Sequence, residues 1–312
     1  MNTSKNNTIN QQAALLFLEQ QQSWTLARNN FEGLKTVQTK RFYFHDFEVL
    51  VQFNPARLVS SGAKVDAKTI AERQCFLCSE NRPLEQKGLD LGNYILLVNP
   101  FPIFPEHFTI PHKDHIDQQI KPFFSDLLEI AEQLSDYLVF YNGPKCGASA
   151  PDHLHFQAGT KDFLPLTKDY KRLKSTHGIL IDQGLDYEVY SLENYLRTVW
   201  CIESSSIASS VMAFGKLYAA LQNNADTEPM MNIVCSFENG KWFIFILPRA
   251  NFRPWQYTAE EEQQLMISPA TVEMSGVFIL PIEKHFQKIC KEDISSILEQ
   301  STIKNHQLST EK

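Results

Sequence analysis

The stretch from Asn142 to Gln157, Asn-Gly-Pro-Lys-Cys-Gly-Ala-Ser-Ala-Pro-Asp-His-Leu-His-Phe-Gln, constrains this chain more than any other. It reads as a glycine-rich turn feeding a short strand. Side chains of a strand alternate between faces, so His153, His155 and Gln157 line one side while Leu154, Phe156 and Ala158 line the other. The apolar trio suits a core. Two imidazoles and an amide exceed what solubility asks for, since Lys, Glu or Thr would serve as well, and they point to chemistry. Neutral imidazole is a nucleophile or a metal ligand, and backbone N–H groups of the preceding loop, with the Ser149 hydroxyl, suit phosphate oxygens. The plainer alternative is a pair of hydrogen-bonded surface histidines beside a turn.

What surrounds this stretch narrows the choice. With 312 residues, 43% of them apolar, and 22 Phe, the chain has ample material for a buried core in one large domain or two ordinary ones. A net charge of −7 gives no support for a nucleic-acid partner, although a local cationic cleft for nucleotide phosphates stays open. No apolar run has the length of a signal sequence or a membrane span, so the expectation is a cytoplasmic protein with no membrane partner. Six cysteines in so long a chain do not form a disulfide framework. Cys75 and Cys78 instead make a Cys-x-x-Cys pair suited to half of a tetrahedral metal site, with redox chemistry the weaker reading because Asn81-Arg82-Pro83 follows rather than a helix. Cys146, Cys201, Cys235 and Cys290 are scattered, as small buried apolar residues would be.

Along the chain, residues 1–11 are polar and expected as a tail, and an apolar helical face begins at Ala14 and continues through Ala27. Phe47, Val49, Val51 and Phe53 alternate as a strand after a turn near His45-Asp46; Pro55 ends it, leaving Arg57 where a guanidinium can reach a phosphate. Tyr94–Val98, Phe108–Pro111 and Leu138–Tyr141 read as strands, with a helix from about Pro122. Further on, Leu192–Trp200 and Ile207–Leu221 have helical spacing, as does Glu283–Gln300. Asn239-Gly240 marks a hairpin between Met231–Phe237 and Trp242–Leu247, and Val277–Leu280 is a strand.

Taken together, these segments resemble the transferase branch of the histidine-triad superfamily, which includes galactose-1-phosphate uridylyltransferase, the dinucleoside polyphosphate phosphorylases and the GDP-galactose phosphorylases. His153-Leu154-His155-Phe156-Gln157 matches the branch's His-x-His-x-Gln signature, Cys75-Phe76-Leu77-Cys78 with Asn81 and Arg82 its zinc knuckle, and Ile110-Pro111-His112-Lys113-Asp114-His115 the segment carrying a third ligand. Ser268–Gly276 is similar to a C-terminal motif of the GDP-galactose phosphorylases. The resemblance implies an α+β fold, a histidine-triad-like antiparallel sheet with helices in two related halves: a catalytic half over 12–165, a degenerate half over 166–300, and a tail over 301–312.

It also implies structural zinc on Cys75, Cys78, His115 and His153, with His107 and His112 as alternative third ligands. His155 would be the nucleophile and Gln157 its catalytic partner, with Asn99, Asn142, Gly147, Ser149 and Arg57 on the substrate. Roles for Arg249 and Glu273 are structural in the first instance. The loop spacing before the signature departs slightly from that of the uridylyltransferases, and phosphorylase relatives often lack zinc.

The implied activity is nucleotidyl transfer or phosphorolysis of a nucleoside diphosphate sugar or dinucleoside polyphosphate through a nucleotidyl-histidine, with phosphate or a sugar phosphate as acceptor and a homodimer admitted. Gln157 favours transfer over hydrolysis, because an amide cannot shuttle a proton as a third histidine would. The alternatives are a zinc-stapled nucleotide-binding module without turnover and a nucleotide hydrolase.

Overall fold

The computed structural model describes residues 3–58, 67–222 and 227–304. Its centre is an antiparallel ten-stranded sheet. In chain order its strands are β3 (Gly88–Leu91), β4 (Tyr94–Val98), β5 (His107–Pro111), β6 (Tyr137–Asn142), β7 (His155–Thr160), β8 (Gly178–Gln183), β9 (Tyr187–Leu192), β10 (Val199–Ser204), β11 (Met231–Glu238) and β12 (Lys241–Pro248). A smaller sheet holds β1 (Gln38–Phe44), β2 (Phe47–Phe53) and β13 (Val277–Leu280), with β13 parallel to β2.

The large sheet runs β3-β4-β5-β7-β6-β11-β12-β10-β9-β8. Followed outward from the β6–β11 seam, one side reads 6-7-5-4-3 and the other 11-12-10-9-8, which is the same order of five strands twice. Each half also inserts one helix between its third and fourth strands, Phe124–Gln133 in the first and Ile207–Leu221 in the second. Those two helices meet at the seam, where the Phe124 and Phe214 rings stack at 3.9 Å. The two related halves expected from the resemblance are therefore visible as repeated topology.

Both faces of the sheet's central strands are covered, by different layers. Leu154, Phe156 and Ala158 face the two central helices and the N-terminal helices Thr3–Ser23 and Thr25–Leu34, which contribute Phe17, Trp24 and Phe31. On the opposite face Leu138, Phe140, Phe245 and Leu247 pack against β2, β13 and the helix Lys291–Ser301. No helix among the described residues is long and apolar enough to cross a membrane.

Several local expectations need correcting. The first helix starts at Thr3, inside the segment 1–11 expected as a tail, because Asn10 donates to Ser135 Oγ at 3.0 Å and accepts from Asp136 N. At the other end, the segment 301–312 does not begin as a tail. Thr302 is buried, bridges to Arg249 and accepts from Thr198 N at 3.1 Å, while 305–312 lie outside the described residues. Leu192–Trp200 is not a helix: it is the end of β9, a turn, and the start of β10, with Asn194 (φ 53°) and Leu196 (φ 59°) in left-handed conformations. Glu283–Gln300 divides into two helices at Ile289-Cys290. The Asn239-Gly240 turn does join β11 to β12, with φ of 52° and 77°.

Candidate active site and metal centre

Cys75 and Cys78 stand in a turn closed by Cys78 N–H donating to the Cys75 carbonyl, and Asn81 Nδ2 donates to that same carbonyl at 3.0 Å. His115 lies beyond the end of β5, and His153 lies two residues ahead of β7 rather than within it. The sequence separations collapse in space: one donor atom from each of the four residues lies within 4.8 Å of the other three. His153 Nδ1 is 3.3 Å from Cys75 Sγ and 3.6 Å from Cys78 Sγ, and His115 Nδ1 is 3.2 Å from Cys78 Sγ.

The supports of this cluster suit a metal. His153 Nε2–H donates to the His112 carbonyl at 2.8 Å, which turns Nδ1 towards the sulfurs. His115 Nε2 is 3.9 Å from Asp152, a carboxylate that Arg73 also holds at 2.5 Å. Burial pushes the Cys75 thiol up, but hydrogen bonds from His153 and from the Leu77 and Cys78 backbone outweigh it and bring it down to about 6. Two thiol sulfurs and two imidazole nitrogens on four separate anchors form a donor set able to hold a metal ion with no open position. His112 is not among them, since its Nδ1 accepts from Asp114 N at 3.0 Å.

His155 opens β7, and its backbone is held at both ends by one side chain. Gln118 Oε1 accepts from His155 N at 2.8 Å while Gln118 Nε2 donates to His155 O at 3.1 Å and to Asn142 O at 2.9 Å. The ring Nδ1–H donates to the His153 carbonyl at 2.8 Å, so the lone pair belongs to Nε2, which has no protein partner among the described residues. Burial lowers the imidazole to about 4, an effect that the hydrogen bond to the His153 carbonyl offsets only in part, so His155 is neutral at ordinary pH.

Gln157 follows on the same face, with its amide oriented by a short relay. Ile103 N–H donates to His107 Nδ1 at 3.2 Å, which places the other ring proton on Nε2, and that proton is donated to Gln157 Oε1 at 3.0 Å. The Gln157 amide NH2 is thereby left as the outward donor. Burial, with the charge of Arg57 behind it, lowers His107 to about 3 and keeps this relay neutral.

Between β6 and β7, the loop that follows Asn142 returns against the second half. Asn142 Oδ1 accepts from Asn232 Nδ2 at 3.0 Å, from Thr271 N at 2.9 Å and from Thr271 Oγ1 at 2.7 Å, so this oxygen ties the halves together. Gly147 adopts φ of 94°, and a Cβ there would come within 2.5 Å of Ala270 Cβ, so both the conformation and the close approach require glycine. Ser149 is exposed on the loop.

Comparison with known proteins bears on the fold. Residues 16–160 match a family described only as a domain of unknown function, DUF4922, and residues 172–310 match the GDPGP1-like C-terminal domain. The crystal structure of yeast Ap4A phosphorylase Apa2 is similar over 92% of this chain and 94% of that chain, with 20% sequence identity and a TM-score of 0.59. That similarity shows the fold: the chain shares its overall architecture with the yeast phosphorylase. A DUF4931 family protein from Bacillus cereus is similar over 55% of this chain and 88% of that chain, at 16% identity and a TM-score of 0.39. No curated protein sequence matches.

Within this fold the remaining candidates fall into two groups. Arg57 and Asn99 sit beside the His107 relay: Arg57 Nη1 donates to Phe101 O at 2.8 Å, Asn99 Oδ1 accepts from Phe101 N at 2.9 Å, and Asn99 N donates to His107 O. Arg249 is instead wholly internal, with Nη1 donating to Asn232 Oδ1 at 2.6 Å and to Pro269 O at 2.8 Å. Two residues that position the site, Gln118 and His107, have no signature in spacing; the one available signal was that His107 shares a strand face with Thr109 and Pro111. A hollow of about 550 Å³ along Lys291–Lys304 holds none of the candidate residues.

Proposed function

We propose that the protein transfers a nucleotidyl group by double displacement through His155, and that its Cys75, Cys78, His115 and His153 cluster holds a structural zinc ion. The observation that carries this reading is the 2.8 Å hydrogen bond from His155 Nδ1–H to the His153 carbonyl, on a ring kept neutral by burial. It leaves a fixed, unprotonated Nε2 as nucleophile.

In the first step the Nε2 lone pair forms a bond to the α-phosphorus of a nucleotide substrate, and the bond from phosphorus to its leaving oxygen breaks, with the electron pair departing on a phosphate-bearing fragment. The ring gains positive charge as it becomes a nucleotidyl-imidazole, and the His153 carbonyl facing Nδ1–H stabilises that charge. The Gln157 NH2 donates to a non-bridging oxygen. An acceptor oxygen then attacks the same phosphorus and returns the bond pair to Nε2. Zinc would hold His153, and with it the carbonyl that orients His155, and take no part in bond making.

Nucleoside diphosphate sugars and dinucleoside polyphosphates are the substrate classes with the required activated α-phosphorus. The Ap4A phosphorylase activity of the yeast fold relative supports the second class, and the GDPGP1-like C-terminal match is compatible with the first. The test is to incubate the protein with α-labelled GDP-hexose, UDP-hexose or diadenosine tetraphosphate without acceptor. Acid-labile label on His155, absent from His155→Ala, is expected. Equal labelling of the two proteins would remove the mechanism.

A further inference from the structure

We infer that Arg249, a buried residue of the second half, is a positioning residue for nucleotidyl transfer: through Asn232 it fixes the side-chain amide of Asn142 and polarises it as a donor at the head of the loop between β6 and β7. The inference rests on the transfer reading and gives the second half a part in it.

A guanidinium can only donate, and that settles the orientation of two amides in turn. The atom of Asn232 that meets Arg249 Nη1 at 2.6 Å is its oxygen, so Asn232 Nδ2 is turned to the first half, where it donates to Asn142 Oδ1 at 3.0 Å and to the Cys146 carbonyl at 2.8 Å. Asn232 and Asn142 stand opposite each other where β11 pairs with β6. Thr271 N–H, which also can only donate, fixes Asn142 in the same sense at 2.9 Å. Oδ1 of Asn142 is thus taken by Asn232 and twice by Thr271, which leaves its Nδ2 as the free end of the amide, with no protein partner among the described residues.

The backbone of Asn142 carries the same path on to the nucleophile. Its carbonyl accepts from Gln118 Nε2 at 2.9 Å, and that one side chain holds His155 N at 2.8 Å and His155 O at 3.1 Å. Arg249, Asn232, Asn142, Gln118 and His155 are all buried. The path therefore runs from the second half to the reacting strand without passing through solvent.

Arg249 also brings a charge to it. Its five donors go to Asn232 and to the carbonyls of Pro269, Asn251, Phe252 and Ser301, and it forms no ion pair among the described residues. A buried positive charge held only by neutral oxygens polarises them, and hydrogen bonds in series strengthen one another. Asn232 Nδ2 becomes the stronger donor, and Asn142 Nδ2 after it. A donor strengthened in this way favours an anionic phosphoryl oxygen over a neutral acceptor.

Single-turnover labelling of His155 from α-labelled nucleotide, in wild-type and Asn142→Ala backgrounds, tests the path. Arg249→Gln should slow labelling per folded molecule by about thirtyfold or more in the first background and by less than about threefold in the second, because Arg249 acts through that side chain. Equal slowing in both backgrounds overturns the inference. Asn232→Asp keeps an acceptor for Arg249 and opposes a carboxylate oxygen to Asn142 Oδ1, so it should slow labelling at least as much as Arg249→Gln; a wild-type rate in this variant also overturns the inference. Hydrogen exchange reads the path with no substrate present. In Arg249→Gln the amides of Cys146 and His155 should exchange about tenfold faster or more, relative to those of β4. Acceleration shared evenly by β4 would mean that Arg249 serves stability alone, which overturns the inference. Absence of label on wild-type His155 would refute the transfer mechanism, and the exchange result then decides by itself whether Arg249 orders the loop and the reacting strand.

Discussion

The two halves of the large sheet share a strand order and differ in what one face of one strand carries. In the first half, β7 presents His155 and Gln157 opposite Pro111 and Thr109 of β5. In the second, β12 occupies the same place in the order and presents Phe243, Phe245 and Leu247 on that face, with Phe245 opposite Cys201 of β10. The connections differ as well: β11 turns into β12 through Asn239-Gly240, whereas the chain between β6 and β7 runs from Gly143 to Leu154 and supplies the glycine loop and His153. The same five-strand frame thus carries the proposed reaction centre where polar residues are held by relays, and serves as core where the face packs against β2, β13 and the last helix.

Exchanging the demands on the two strands gives the sharpest test. His155→Ala should reduce nucleotidyl transfer by about 10⁴-fold or more while leaving the melting temperature close to wild type. Phe245→Ala should do the reverse, costing about 3 kcal/mol or more of stability through the cavity it opens, with turnover per folded molecule nearly unchanged. Denaturant titration and single-turnover kinetics on both variants check the pair. If Phe245→Ala abolished turnover in the folded protein, the division of labour between the halves would be wrong.

A metal would add a second asymmetry, since all four of its candidate ligands belong to the first half. Purified protein should contain one zinc per chain by elemental analysis. Cys75→Ser or strong chelation should remove it and lower stability by about 3 kcal/mol, with activity falling as the His153 carbonyl loses its fixed position. Full retention of stability in metal-free protein would reduce the cluster to a hydrogen-bonded group of side chains.

This asymmetry also explains how much of the molecule was legible beforehand. His155, Gln157 and the four clustered residues stand out because strand alternation and Cys-x-x-Cys spacing are short-range patterns of residues that chemistry restricts. The repeat was hidden, because the face that carries imidazoles in β7 carries phenylalanines in β12, and strand order has no imprint on residue identity. Leu192, Tyr195, Leu196 and Trp200 have helical spacing by coincidence; the left-handed Asn194 and Leu196 and the burial of Arg197 against the Met274 carbonyl set the turn instead. Gln118 was invisible for another reason: its contacts are with backbone atoms 24 and 37 residues away, which leave no pattern in side-chain type.

The relay behind Gln157 has no counterpart in the second half and supports a smaller effect. His107→Ala frees the Gln157 amide to turn, so kcat should fall by about tenfold with KM for the nucleotide changed much less. His155, held at about 4, should keep kcat/KM flat as pH falls through 6.5 and let it decline only near pH 4. An inflection at the ordinary histidine value of 6.5 would mean that the ring is not enclosed as described.

The seam itself supports a prediction on stability alone. Glu228, from the second half, accepts from Ile120 N at 2.5 Å and from the Tyr141 hydroxyl at 2.8 Å, both of the first half. Burial raises its carboxyl to about 7, and those two hydrogen bonds only partly offset the effect. Because its folded value lies above the unfolded one, near 4.5, its stabilising contribution is complete below pH 4.5 and is lost as pH rises through about 7. His155 and His107 have the opposite sign: lowered from 6.5 to about 4 and about 3, they contribute fully above pH 6.5 and lose that contribution as pH falls through those values. Glu228→Gln keeps an acceptor for Ile120 and a donor for Tyr141 without a charge to bury. It should lie within about 1 kcal/mol of wild type at pH 5 and exceed it by about 3 kcal/mol at pH 8, measured by denaturant titration. Equal stability of the two proteins at pH 8 would show that the carboxylate is accommodated at the seam at no cost.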